Sequence, residues 1–328
     1  MAQKQIRIGI IGAGSIGSLF GGYLANIKSD TYQIEVIFFG RKTHIEEINE
    51  NGLILIKDEK ISTITGIKGY VNPKNYLKED GKKRIDFCFL TTKSYDIGVA
   101  LEEYKNLTDK IEWLIILQNG IGNEELVSEY LPKSKIIRAI TSNGAFLSKA
   151  GRVEHTGEGF TKIGFAFQKK NEKNEKKEKD LKILKELLTK SGIKTTISND
   201  IIKDCWEKVF VNIGINPFGA LTRLRNGKLI EDKKIKELMA EAVKEAVEVA
   251  LKKGISLPDK DYRELMFEVA RKTKDNVNSM LQDILKGKQT EIDFINGKIV
   301  QYAEKMEVSV PINKSLTYLV KGLERSTF

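Results

Sequence analysis

A lysine and two asparagines recur every four residues in Cys205-Trp206-Glu207-Lys208-Val209-Phe210-Val211-Asn212-Ile213-Gly214-Ile215-Asn216-Pro217. On a helix, Lys208, Asn212 and Asn216 share one face, and the residues between them are largely apolar. Polar groups on such a stripe need partners, because burying them unpaired is costly. A bound ligand is a natural partner. The competing reading has Lys208 reaching solvent along its aliphatic stem, with the asparagines capping neighbouring backbone. Pro217 predicts a kink or an end of the helix near Asn216. A second polar group, Asn276, Ser279, Gln282, Asp283 and Glu291, follows in 275–297. Asn276, Ser279 and Asp283 fall at helical spacing, which fits either a ligand or a plain polar face.

At the other end of the chain, Gly12-Ala13-Gly14-Ser15-Ile16-Gly17 follows an apolar strand and opens a helix. In that context GxGxxG predicts a dinucleotide site. Gly12 permits the tight turn, Gly14 lets backbone approach a pyrophosphate, and Gly17 lets the helix pack on the strand. Free N–H groups at the helix start then face the phosphates. The second strand, Glu35-Val36-Ile37-Phe38-Phe39, carries its acid at the wrong end for a ribose hydroxyl and runs into Gly40-Arg41-Lys42. Arg41 instead suits a 2′-phosphate, so the expected cofactor is NADP(H). Two more loops, Leu90-Thr91-Thr92-Lys93 and Leu117-Gln118-Asn119-Gly120-Ile121-Gly122, stand at carboxyl ends of strands, where ligands bind in open α/β sheets.

Many 2-hydroxyacid dehydrogenases use histidine as proton donor. This chain has only His44 and His155, which leaves a lysine as the better acid. No HxxxH and no Cys/His group offers a metal site, so no metal is expected.

These residues need a scaffold. The chain has 328 residues, 41% hydrophobic and 30% charged, enough for two globular domains. The net charge of +10 comes from lysines scattered among glutamates. It reads as a solvated surface with some bias towards small anions, not as a nucleic-acid patch. Cys88 and Cys205 form no CxxC pair, which favours a reducing cytoplasm. Met1–Arg7 lacks the apolar stretch of a signal peptide, and no run approaches the roughly 18 apolar residues of a membrane span. Strands at 6–11, 33–39, 85–91, 113–118, 135–141 and 193–197 alternate with helices, which predicts a parallel sheet covered on both faces. The apolar-free run Gln168–Asp180 reads as a surface loop leading into a helix, with a domain linker as the alternative. Beyond it the pattern is helical: 231–253, with Leu238, Ala242, Val243, Ala246, Val249 and Ala250 on one face, then 262–285, 292–306 and 313–323. The expected architecture is α/β, with a Rossmann-type doubly wound parallel sheet over 1–199 followed by an all-helical domain over 200–328.

Taken together, the motifs resemble those of the ketopantoate reductases, nearly end to end and in order. They are the glycine turn, Thr92-Lys93, Gln118-Asn119-Gly120, Lys208 with Asn212 and Asn216-Pro217, Ser279-Met280-Leu281-Gln282-Asp283, and Glu291-Ile292-Asp293-Phe294-Ile295-Asn296-Gly297. The resemblance implies an active site in a cleft between the domains, with Lys208 as general acid and Glu291 as its helper. It implies cofactor contacts from Gly12–Gly17, Arg41, Lys93 and Asn119. Asn119, Lys208, Asn212, Asn216, Asn276 and Ser279 would hold a small 2-oxoacid, and Asn226 also matches a family position. The implied reaction is NADPH-dependent reduction of 2-dehydropantoate to (R)-pantoate. Rivals are a related reductase with another 2-oxoacid, a 3-hydroxyacid dehydrogenase, and a non-catalytic NADP(H) sensor. The Glu291-Ile292-Asp293 stretch argues against the second, and the presence of both Lys208 and Glu291 against the third. The sequence leaves a homodimer open.

Overall fold

The structure, a computed structural model, describes residues 3–80, 83–167 and 174–326. The chain divides into two compact units. One is Met1–Gln118 with Asn123–Ile201, and the other is Asn119–Gly122 with Ile202–Phe328.

Among its described residues the first unit holds twelve strands: β1 (Lys4–Ile11), β2 (Tyr32–Phe39), β3 (Leu53–Lys57), β4 (Lys60–Ile64), β5 (Lys68–Tyr70), β6 (Ile85–Leu90), β7 (Ile111–Ile116), β8 (Ile136–Thr141), β9 (Gly144–Lys149), β10 (Arg152–Gly157), β11 (Thr161–Phe165) and β12 (Thr195–Ile197). Eight form one sheet in the order β12-β11-β8-β7-β6-β1-β2-β5. Its neighbours run parallel except β11 against β8. The central strands carry unbroken apolar runs because both faces are covered. Ile8, Ile10, Phe38, Phe89, Leu114 and Ile115 are all fully buried. Glu35 lies midway along β2, where Arg7 donates to it at 2.7 Å and Lys68 pairs with it at 3.1 Å. Burial pushes the Glu35 carboxyl up, but the hydrogen bonds from Lys68 and Arg7 outweigh that and hold it below the usual range.

The other four strands form a small sheet, β4-β3-β10-β9, which the sequence reading missed. Its strands are short and β4 and β9 are mostly exposed, so they lack a continuous apolar run. This sheet covers the helix Ser15–Ala25. Ser15 Oγ accepts the Leu147 N–H at 3.1 Å, and Tyr23 OH lies 2.8 Å from His155 Nδ1. Gly151, in the β9–β10 turn, donates its N–H to His44 Nδ1 at 2.9 Å, and His44 Nε2 lies 2.9 Å from Ser18 Oγ. Of the run 168–180, residues 168–173 lie outside the described residues. The helix that the run leads into begins at Glu175 and runs to Lys190, with Asn174 Oδ1 accepting the Lys177 N–H.

At the carboxyl end of β7 sits a fully buried arginine, Arg138 of β8. Its guanidinium donates to the carbonyls of Ile116 (2.9 Å), Ala139 (3.1 Å) and Gln118 (2.8 Å), and its Nε lies 3.5 Å from Glu124. It braces the backbone that leads into Asn119.

The second unit is helical. A long helix runs over Ile201–Thr222 and is followed by Lys233–Lys252, Tyr262–Lys272, Ser279–Leu285, Asn296–Met306 and a last helix, Pro311–Arg325. Four sequence expectations change here. Pro217 does not end the long helix. It forgoes one backbone bond, yet burial of Ile213, Ile215, Phe218 and Ala220 on either side carries the helix to Thr222. Leu238, read as part of an inward stripe, is exposed, and Met239 is buried in its place. The stretch 262–285 is two helices, not one, broken at 273–278, with Asn278 Oδ1 capping the second by accepting the Leu281 N–H. The stretch 292–306 begins with a single 3-10 turn, Ile292–Phe294, and becomes helical only at Asn296.

Candidate active site

The glycine turn shows which of its glycines the protein itself requires. Gly12 has φ of +90°, and a Cβ there would lie 2.6 Å from the Thr92 backbone nitrogen. A Cβ on Gly17 would lie 2.5 Å from Thr91 Oγ1 and 2.6 Å from the Gly12 carbonyl. Gly14 is different, because its nearest neighbour would be a single carbonyl at 3.9 Å. Among the described residues nothing fills the space beside Gly14, and this helix start has no capping side chain and no acid in its first turn. Open space and uncapped N–H groups fit a dinucleotide pyrophosphate. The N–H groups of Gly12 and Ala13 both reach the Phe39 carbonyl at 3.0 Å. Thr91 Oγ1 donates to the Gly12 carbonyl at 2.7 Å. The sequence reading had Thr91 only as part of the loop after β6, with no role of its own; its signal was a hydroxyl directly after Leu90.

The hydrogen bonds at Phe39 bring the turn to the edge where Gly40-Arg41 leaves β2. Arg41 is exposed and Lys93 half-buried. Burial raises the Asp96 carboxyl, opposed by the positive charges of Arg41 and Lys93.

The second unit brings together three residues that are far apart in sequence. Lys208 Nζ donates to Asn119 Oδ1 at 2.8 Å, and Asn119 Nδ2 donates to Glu291 Oε2 at 3.3 Å. One carboxamide thus spans an ammonium and a carboxylate that is only 7% exposed. Asn119 is held by its own loop. Gly120 has φ of +89° and lies so close to the Phe294 carbonyl that a Cβ would stand 2.3 Å from it. The Ile121 N–H donates to that carbonyl at 3.1 Å. An ammonium has three donors, and fixing one of them on Asn119 aims the group. Such a lysine can deliver a proton or steady a developing alkoxide.

The remaining expected residues are less uniform. Asn212 is half-buried and Asn216 is 5% exposed. Both lie on the long helix with Lys208, and among the described residues neither carboxamide has a hydrogen-bond partner. Asn276 lies in the break before the Ser279–Leu285 helix and Ser279 is that helix's first residue, so they do not share a helix face. Both are exposed. Asn226 serves the backbone instead. Its side chain donates to Thr273 Oγ1 at 2.9 Å, and its N–H to the Asn276 carbonyl at 3.1 Å. It pins the break that sequence periodicity did not reveal. Neither histidine stands in this group. Both serve the contacts between the small sheet and the helices of the first unit.

The model of the family described as Ketopantoate reductase PanE/ApbA matches residues 8–167, and that described as Ketopantoate reductase PanE/ApbA C terminal matches residues 200–324. The 2-dehydropantoate 2-reductase of Pyrococcus horikoshii is 40% identical over 97% of this chain and 98% of its own length. This chain belongs to the ketopantoate reductase family. The enzyme of the same name from Archaeoglobus fulgidus is 30% identical over 97% of this chain and 98% of its own. Among solved structures, D-mandelate dehydrogenase with NADH and anilino(oxo)acetate aligns with a TM-score of 0.83 at 26% identity, over 98% of this chain and 99% of that one. A ketopantoate reductase from Ralstonia eutropha aligns with a TM-score of 0.82 over 98% and 99%, and at 24% identity it bears on the fold alone. Ketopantoate reductases are oxidoreductases. Among the described residues, no helix is long and apolar enough to cross a membrane.

Proposed function

We propose that this chain reduces 2-dehydropantoate to (R)-pantoate with NADPH, a step towards pantothenate and coenzyme A. The observation that carries the reading is Lys208 held by Asn119 beside the buried Glu291. NADPH, when bound, supplies the hydride that adds to the ketone carbon. The Gly12–Gly17 turn receives its pyrophosphate, Arg41 its 2′-phosphate, and Lys93 and Asn119 contact it further along. Lys208 donates a proton to the carbonyl oxygen as it gains charge, so hydride plus proton convert the ketone into a secondary alcohol. Asn119 and Glu291 orient Lys208. The unpartnered carboxamides of Asn212 and Asn216 hold the substrate, together with Asn276 and Ser279. The same reading assigns cofactor binding chiefly to 1–199 and proton delivery to 200–328.

A second reading has the same machinery acting on another 2-oxoacid, favoured by the 26% identity to D-mandelate dehydrogenase. The deciding experiment follows NADPH absorbance at about 340 nm with 2-dehydropantoate, benzoylformate and other 2-oxoacids, and then with NADH. Turnover chiefly with NADPH and 2-dehydropantoate is expected. Preference for an aryl 2-oxoacid, or for NADH, selects the second reading. Cofactor binding without turnover on any oxoacid defeats both and leaves a sensor. We also propose a cytoplasmic location, supported by two buried free cysteines, and a homodimer. Exposed Leu238, Tyr318 and Leu319 on two helices that pack together support the dimer. A monomer mass by light scattering would remove it.

A further inference from the structure

Glu291 lies in a tight segment that the last helix holds from outside. Thr290, the residue before it, is 2% exposed. Its N–H and its hydroxyl both donate to one oxygen of Glu324, at 2.7 and 2.6 Å. The same hydroxyl oxygen accepts the Ile292 N–H at 3.2 Å. Thr290 therefore closes a loop around Glu291, bonded to the residue after it and anchored to a carboxylate more than thirty residues away. One turn earlier on the last helix, Lys321 pairs with Asp293 at 2.9 Å to both carboxylate oxygens. This second pair is partly exposed, so it adds little. On the other side, the Phe294 N–H donates to the Glu291 carbonyl at 3.0 Å, and the Phe294 carbonyl accepts from Ile121.

We propose that Thr290 and Glu324 are positioning residues for the reaction, setting the place of Glu291 relative to Asn119 and so the aim of Lys208. The inference rests on the reductase reading above and deepens it. A charge-assisted bond is about twice as strong as a neutral one, and here one carboxylate oxygen fixes both the backbone and the side-chain rotamer of Thr290. The carboxylate of Glu324 binds both the N–H and the hydroxyl of Thr290. Its effect runs through the Thr290–Ile292 loop. Misplacement of a catalytic group by about 1 Å costs up to about a hundredfold in rate.

The test uses the full-length enzyme with Thr290→Val, Thr290→Ser, Glu324→Leu and Glu324→Gln. Valine keeps the shape of threonine and the backbone donor but loses the hydroxyl. Serine restores the hydroxyl, and glutamine keeps an acceptor oxygen. Thr290→Val and Glu324→Leu are expected to lower kcat by roughly ten- to a hundredfold, with the NADPH KM unchanged and the kcat–pH profile displaced. Thr290→Ser and Glu324→Gln should stay within a few-fold of wild type and keep its profile. The Val/Leu double variant should be no slower than the worse single one. A lowered melting temperature with wild-type kcat and pH profile would overturn the proposal and leave a merely structural contact. Should Glu324→Leu fail to fold, the Val–Ser pair decides alone. Wild-type enzyme inactive on every 2-oxoacid would defeat the reductase reading instead. The brace would then be judged by hydrogen exchange at Ile292, where protection unchanged by Thr290→Val overturns it.

Discussion

The two halves of the proposed chemistry are built in opposite ways. The glycine turn of the first unit is made of backbone and of missing atoms: six consecutive residues, uncapped N–H groups and an open space beside Gly14. The group in the second unit is made of side chains from three distant segments, with Asn119 and Lys208 separated by 89 positions and Asn119 and Glu291 by 172. A site of the first kind is damaged by adding atoms, and one of the second kind by removing them.

That contrast gives a graded set of tests. The largest effect is expected at Lys208. Lys208→Ala should lower kcat by about 10²- to 10⁴-fold, the usual worth of a positioned acid, while the NADPH Kd measured by fluorescence titration stays put. A variant that keeps its rate would show that the ammonium is not the proton source. Gly14→Ala should do the reverse. Its φ of −91° suits any residue and its surroundings have room, so Tm should hold while NADPH affinity falls more than about tenfold through contact with the pyrophosphate. Gly12→Ala, at φ +90° against the Thr92 nitrogen, should lose stability by about 1–3 kcal/mol or more even without cofactor. Equal behaviour of the two variants would erase the distinction between a glycine the fold needs and one the ligand needs. Arg41→Ala should weaken NADPH by roughly ten- to a hundredfold, the value of charge-assisted hydrogen bonds of about 1.5–3 kcal/mol, and leave NADH unchanged. Loss of both cofactors alike would move Arg41 from the 2′-phosphate to a general role.

The smallest effect concerns neither site. Because Gly151 donates to His44 Nδ1, the ring proton sits on Nε2 and faces Ser18. A second proton would break the Gly151 bond, and burial holds the His44 pKa below its usual 6.5. Burial lowers His155 as well. The folded protein thus takes up fewer protons than the unfolded chain as pH falls through and below 6.5. Stability should be full above that value and decline beneath it. His44→Gln should shallow that decline in a series of thermal melts without abolishing it, because His155 remains.

The same contrast explains what could be read from the amino-acid sequence. Contiguous features were legible: the glycine turn, the β2 end at Arg41, the buried strands and the four-residue spacing of Lys208, Asn212 and Asn216. The small sheet was not, because its short, half-exposed strands carry no periodic signal. The break at 273–278 was hidden because it depends on Asn226, some fifty residues upstream, and on a cap from Asn278. Of the two outcomes expected at Pro217, the helix end is absent because local backbone preference gave way to burial around it. Spacing did not connect Glu291 to Lys208, since the carboxamide between them comes from the end of β7. Only the likeness to a family joined them. Asn276 and Ser279 show the converse error, since a spacing that looked helical spans a turn.

Arg138 bears on how the chain reaches this fold at all. Trp113–Ile116 and Ile136–Ile137 are apolar on both faces, so β7 and β8 paired one residue out of place would bury nearly as much hydrocarbon. Only the observed register, with Ile116 opposite Arg138, brings the guanidinium to the carbonyls of residues 116 and 118. A slip by one residue turns Arg138 to the other face and strands a charge whose unpaired burial costs several kcal/mol. Arg138→Met, which leaves Glu124 and three carbonyls without their donor, should lower equilibrium stability by about 3–5 kcal/mol and also refold from urea with extra slow phases and a lower native yield. The buried arginine works as an editor of strand pairing, rejecting wrong assemblies as well as strengthening the right one.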